Sequence, residues 1–188
     1  MKVFLSILFV LISFNAKAKE SVTTVNHVDL NRYMGKWYEV ASIPQFFQRN
    51  CIGNATAEYS LVDNMMVKVM NSCDKKDKRE VAEGRAKVVD KETNSKLEVT
   101  FVKIFQWLFF IGGDYWVLDI NDDYSYALVG NPTAKYAWIL SRTPIISEEN
   151  LKRAYKVLET NGYDTCEVLT SIQDNGFSER KPLCKMIK

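Results

Sequence analysis

From Gly35 to Arg142, short stretches rich in Val, Ile, Tyr, Phe and Trp alternate with clusters of Asn, Asp, Gly and Lys. β-Branched and aromatic residues suit a pleated, half-buried surface, and the polar clusters suit tight turns, so the pattern predicts consecutive antiparallel strands. Eight are predicted: Lys36 to Ser42, Asn54 to Val62, Met66 to Cys73, Val81 to Val89, Lys96 to Val102, Tyr115 to Ile120, Tyr124 to Val129 and Tyr136 to Ser141. Short turns such as "DN", "DKETNS" and "NDD" join neighbours in sequence. Eight strands so connected can close into an up-and-down β-barrel, an all-β fold.

The period then changes. Leu151, Ala154, Tyr155 and Leu158 recur at helical spacing after Ser147, a good N-cap, with Glu148 and Glu149 in the first turn and Gly162 beyond the end. This predicts a helix over Glu148 to Asn161 whose single apolar stripe packs on the outside of the barrel. A last strand is predicted near Val168 to Ile172, ahead of a polar tail.

Two stretches depart from the alternation. Residues 1–18 run from Lys2 through an apolar segment to Ala16-Lys17-Ala18, the order of a secretory leader, with cleavage expected after Ala18 and one domain over 19–188. With no cysteine near that site, a lipoprotein anchor is not expected, and the destination is the periplasm or the extracellular space. The other stretch, "IFQWLFFI" at Ile104 to Ile111, puts seven apolar residues into eight positions. It is too short to cross a bilayer as a helix, which takes about 20 residues.

Composition narrows the choices. Without Lys2 and Lys17 the 25 basic residues become 23, matching 23 acidic ones, so the basic excess that nucleic-acid binding uses is missing. Four cysteines in an exported chain read as two disulfides. Their spacing fits no metal site, and the single histidine, His27, lies in a polar segment. With no nucleophile elbow, phosphate loop or metal motif, non-covalent binding without a cofactor is expected rather than catalysis. The alternative is an enzyme acting on a lipophilic substrate, with Cys51 as a conceivable thiol or Glu39 as an inward carboxylate.

Three short motifs point further: "GKWYE" (Gly35 to Glu39), "DINDDY" (Asp119 to Tyr124) and "WILSRTP" (Trp138 to Pro144). Their order and spacing resemble the lipocalin family over about Val28 to Gln173. "GDYWVLD" and "YALVGNP" look most like its bacterial outer-membrane members and its apolipoprotein D group. The resemblance implies a calyx holding a small hydrophobic ligand, such as a fatty acid or lysophospholipid, in a monomer or weak dimer. Gly35, Trp37, Asp122, Tyr124 and Arg142 then fall at the closed end. There Arg142 can lie over the Trp37 indole, a contact of about 0.5–2 kcal/mol.

With Arg142 inward, strand alternation turns Leu140, Trp138 and Tyr136 inward and Ile139, Ala137 and Ser141 outward. Likeness to the apolipoprotein D group places Tyr59, Asn71 and Tyr115 in the same pocket. The "IFQWLFFI" stretch becomes a loop at the open end, beside Phe46 and Phe47. Phe105, Trp107, Leu108, Phe109 and Phe110 are candidates for peripheral membrane contact, with a lid over the pocket or a dimer interface as alternatives. Net neutrality predicts that such contact depends little on salt. For the cysteines, the strand geometry favours Cys51–Cys73 with Cys166–Cys184, whereas the apolipoprotein D group implies Cys51–Cys184.

Overall fold

Strand alternation is visible directly in which side chains are buried. Along β3 (Met66–Asp74), Val67 and Val69 are buried while Lys68 and Met70 between them are not. β7 (Tyr126–Gly130) is buried at all five positions, because its Ala127 and Val129 face the barrel interior while Tyr126 and Leu128 face a layer outside it. A strand covered on both faces loses the alternation that a half-exposed strand shows. The computed structural model describes residues 22–63 and 65–187; the expected leader and its cleavage site lie outside the described residues.

The remaining strands are β1 (Gly35–Ser42), β2 (Gly53–Asp63), β4 (Arg79–Val88), β5 (Lys96–Thr100), β6 (Gly113–Ile120) and β8 (Ala137–Ser141). Each pairs antiparallel with the next in sequence, and β1 pairs with both β2 and β8, so the sheet closes on itself as an eight-stranded barrel. A short ninth strand, β9 (Leu169–Thr170), adds to β1 at Ala41 and Ser42, where β2 has moved away. Gln173 bridges the gap further along, its Nε2 donating to Glu39 O at 2.9 Å and to Ala55 O at 2.7 Å. The tail thus wedges the seam between β1 and β2.

At three strand ends the strand falls short of the sequence expectation because a polar side chain captures backbone. β5 stops at Thr100 rather than Val102: Thr100 Oγ1 accepts from Val102 N and donates to Leu108 O, turning the chain out of the ladder. β7 starts at Tyr126 rather than Tyr124, with Asn121 Oδ1 accepting from Tyr126 N and Tyr124 in a left-handed turn at φ 58°. β8 starts one residue late because Asn131 Oδ1 holds the amides of Lys135 and Tyr136 in the preceding loop.

Among the described residues two α-helices complete the fold. A one-turn helix that the sequence pattern did not reveal, α1 (Leu30–Tyr33), is capped by Asp29 Oδ1, which accepts from Asn31 N and Arg32 N. The predicted helix is α2 (Glu148–Thr160), capped by Ser147 Oγ. Its Leu151, Ala154 and Leu158 pack with Leu128 and Ile139 outside the barrel. Arg153 anchors α2 to β6 by two 2.6 Å bonds to the carboxylate of Asp119. That pairing went unseen in the sequence, where Asp119 read only as part of a turn motif.

The cysteines form Cys51–Cys73, between the connection just before β2 and β3, and Cys166–Cys184, which ties down the tail. This is the pairing the strand geometry favoured, and it displaces Cys51–Cys184. Opening Cys166–Cys184 with a Cys166→Ala/Cys184→Ala variant frees a loop spanning 18 positions. Loop-closure entropy then predicts a loss of about 3 kcal/mol, measured as a lower urea midpoint at little-changed slope.

Candidate ligand-binding site

One end of the barrel is sealed from the chain upward. Gly35 begins β1 at φ 92°, a conformation that strains residues bearing a Cβ, and a Cβ there would sit 3.4 Å from Arg142 Nη1. The fully buried Trp37 follows two residues later, with the Arg142 guanidinium 3.7 Å above its ring centroid. Arg142 also donates to three carbonyls: Tyr124 O at 3.2 Å, Lys36 O at 3.0 Å and Arg32 O at 2.7 Å. Trp37 Nε1 in turn donates to Tyr33 O at 2.8 Å.

Tyr124 holds α1 across this end. Its hydroxyl accepts from Asp29 N at 2.8 Å, and the Arg32 guanidinium stacks 4.2 Å over its ring. Asp122 takes part through its backbone, since its carbonyl accepts from Arg32 Nη2 while the residue itself is exposed.

Above the plug the interior carries a cluster of phenols. Tyr33, Tyr59 and Tyr115 meet hydroxyl to hydroxyl, Tyr33 to Tyr115 at 2.8 Å and Tyr115 to Tyr59 at 3.1 Å. Tyr33 was not singled out in the sequence because it precedes the first strand; only the turn of α1 brings its ring 5.2 Å from Trp37 and 5.8 Å from Tyr59. Burial pushes the Tyr59 hydroxyl up to about 12 and those of Tyr33 and Tyr115 well above their ordinary value. All three are therefore neutral near pH 7. Three hydroxyl protons share two mutual hydrogen bonds, which leaves one phenol donor uncommitted within the cluster. On β3, the inward Asn71 has a buried Oδ1 with no hydrogen-bond partner. The cup thus holds a spare donor and a spare acceptor.

The rest of the lining is apolar. Leu140 and Trp138 pack with Val69, Leu97 and Val129 in the interior, whereas Ile139 and Ala137 belong to the outer layer against α2. Tyr136 lies on the same side as Trp138, as expected of residues two apart. It lies in the loop before β8, is 37% exposed, and stacks on the mouth side of Trp138 at 6.1 Å between centroids. Glu39 faces the same side of the sheet as its β-partner Leu140. Its carboxylate accepts from Ser42 Oγ, Ser171 Oγ and Gln48 Nε2 at 2.7–2.8 Å, so it serves the seam between β1 and β9.

At the open end, residues 101–112 between β5 and β6 form an ordered hairpin. Leu108 N donates to Val102 O at 3.0 Å, Lys103 bridges to Trp107, and the Trp107 ring lies between Arg85 at 4.9 Å and Lys103 at 5.4 Å. This divides the five candidate contact residues. Trp107, Leu108 and Phe109 are partly buried against the barrel, while Phe105 is 98% exposed and Phe110 84%. Across the mouth, Phe46 and Phe47 pack edge to face, and both are exposed.

An eight-stranded antiparallel barrel plugged at one end and lined with apolar side chains has the calyx architecture. The chain belongs to the lipocalin family, whose lipocalin-like domain matches residues 28–173. It is 39% identical over 148 residues to temperature-induced lipocalin-1 of Arabidopsis thaliana, covering 78% of this chain and 80% of that protein. It is 35% identical over 166 residues to the outer membrane lipoprotein Blc of Vibrio cholerae, covering 87% and 93%. It is 33% identical over 172 residues to apolipoprotein D of Rattus norvegicus, covering 87% and 86%. Among solved structures, insecticyanin of Manduca sexta superposes with a TM-score of 0.66 at 23% identity, over 86% of this chain and 93% of that one, which speaks to the fold.

Two outcomes test this geometry. Trp37→Ala should lower unfolding free energy by about 3–5 kcal/mol. Arg142→Lys should cost about 1–2 kcal/mol because an ammonium cannot both stack and reach three carbonyls. Urea denaturation reads both. In an alkaline titration followed by phenolate absorbance, Tyr59 should stay neutral between pH 10 and about 12 while its unfolded counterpart ionises. Its contribution to stability is therefore complete below pH 10 and lost as pH rises toward 12. Tyr59→Phe should reduce that alkaline loss.

Proposed function

We propose that the protein is an exported carrier that holds a fatty acid, lysophospholipid or similar amphiphile in the barrel. The observation that carries this reading is the composition of the cup: an apolar lining interrupted by one uncommitted phenol proton beside Tyr59 and one unpaired amide oxygen on Asn71. Unpaired buried polar atoms cost stability unless something meets them. An amphiphile with a long apolar tail and a polar group that both accepts and donates, such as a hydroxyl or a protonated carboxyl, meets both needs, with Trp138, Leu140 and the stacked Tyr136 flanking it.

The disulfides suit an oxidising compartment. Among the relatives, the outer membrane lipoprotein and apolipoprotein D agree with a place in the cell envelope or outside the cell. The alternative of a lipid-processing enzyme finds no support in Cys51, whose sulfur is bonded to Cys73.

The β5–β6 hairpin supports a division of labour in this reading. Trp107 packs against the outer wall on Arg85 and holds the hairpin, while Phe105 and Phe110, with Phe46 and Phe47, project as a contact for a lipid surface. Because the hairpin is already ordered by its own hydrogen bonds, little ordering entropy opposes such a contact.

Delipidated protein titrated with lysophospholipid should show saturable quenching of tryptophan fluorescence. Trp138→Ala should weaken affinity about tenfold or more with a much smaller stability loss than Trp37→Ala. Absence of saturation with any fatty acid or lysophospholipid would overturn the carrier reading. Phe105→Ser/Phe110→Ser should abolish co-flotation with lipid vesicles while leaving the affinity for monomeric lysophospholipid within about twofold. If flotation persists instead, the exposed phenylalanines are not the lipid contact.

A further inference from the structure

The formal neutrality of the chain past Ala18 hides an uneven distribution. Four connections surround the mouth: residues 43–52, 75–78, 101–112 and 131–136. They carry six basic residues, Arg49, Lys75, Lys76, Lys78, Lys103 and Lys135, against one acidic residue, Asp77. The adjoining strand ends add the pairs Arg79–Asp74 and Lys75–Glu80, and an exposed Asp114. At the plugged end the sign reverses. The connections 89–95 and 121–125 carry Asp90, Glu92, Asp122 and Asp123 against Lys91, and with Asp29, Arg32 and Arg142 of the plug the end carries five acidic residues against three basic ones.

Five of the mouth cations, Arg49, Lys76, Lys78, Lys103 and Lys135, are exposed, and among the described residues none of them forms an ion pair. Arg49 and Lys103 share the two loops that carry the projecting Phe46, Phe47, Phe105 and Phe110, and Lys76, Lys78 and Lys135 stand in the two connections that alternate with them around the mouth. Unpaired cations around exposed aromatic tips complement one kind of surface in both respects, an anionic lipid bilayer. The rings enter the acyl boundary while the ammonium groups stay among the phosphates. A neutral bilayer would meet the rings alone.

We infer that the mouth is a docking surface for anionic bilayers, on which the barrel stands end-on with the plug pointing away. The inference rests on reading the mouth loops as a lipid contact and adds the headgroup class and the orientation. It also reverses the salt behaviour that net neutrality suggests. With a screening length of about 8 Å at physiological salt, the mouth charges act on a surface they touch, and the acidic connections at the far end of the barrel are screened from it. Each cation held at an anionic surface contributes about fivefold in affinity.

The test is flotation of the full chain with two kinds of vesicle, phosphatidylcholine alone and an equimolar mixture with phosphatidylglycerol. The mixed vesicles should bind the protein at least about tenfold more tightly, with the preference falling as salt rises. Lys76→Glu/Lys135→Glu should erase the preference. Lys87→Glu/Lys91→Glu, the same charge change near the plugged end, should leave it in place. Equal binding to both vesicles, or equal loss from both double variants, would overturn the inference. So would full retention of binding to mixed vesicles in Phe105→Ser/Phe110→Ser, since adsorption by charge alone needs no mouth. Lysophospholipid titration of Lys76→Glu/Lys135→Glu should give wild-type affinity, so a failure of the cup shows in the titration and a failure of the mouth in the flotation.

Discussion

Everything in this molecule depends on the sheet closing, and closure is fixed where Arg142 lies over Trp37. Strand pairing alone leaves β1 and β8 free to slip past one another, because ladder hydrogen bonds recur at regular intervals along the strands. A guanidinium that stacks on one indole and reaches three particular carbonyls does not slip. It ties the beginning of β1, the end of β8, the β6–β7 turn and α1 to one point. Arginine suits the task because its charge is delocalised over a plane that can stack on a ring while its edge donates several hydrogen bonds.

Fixing one end gives the barrel a direction. At the plugged end the polar groups are spent on each other: Tyr124 on Asp29, Trp37 on Tyr33, Arg142 on backbone. The interior above it has an odd proton count in its tyrosine cluster and an amide oxygen without a donor, which is a poor way to build a core and a good way to receive a polar group. At the mouth the seam between β1 and β2 opens and is wedged by Gln173 and the Glu39 hydrogen bonds, so the tail contributes to the wall of the cup.

The two ends also differ in charge, and the difference bears on how a hydrophobic cargo is collected. A carrier without a route for its cargo through water must approach the lipid from which it loads. In the proposed reading, an apolar, cationic mouth and an acidic base would give the molecule one orientation at an anionic surface, with the mouth facing the source. Such an arrangement uses few residues, because the loops that carry the charges and rings are already held in place by their own backbone bonds.

The sequence by itself determined the eight strands and the outer helix, pointed to the plug residues through motif spacing, and favoured the cysteine pairing that forms while leaving Cys51–Cys184 open. Each of these rests on local periodicity, on motif spacing or on which strand ends meet when neighbours pair. The ends of β5, β7 and β8 were less legible, since Thr100, Asn121 and Asn131 bind backbone and override the apolar pattern beside them. Tyr33, the Asp119–Arg153 pair and the wedge at Gln173 were not legible at all. Their partners lie far away in sequence, 82 positions in the case of Tyr33 and Tyr115 and 134 for Gln173 and Glu39. No periodicity reports such a contact. Tertiary structure alone decided which faces of the "IFQWLFFI" loop are shown, because its hairpin bonds and the cations around Trp107 set the rotation of the chain, and composition is blind to rotation.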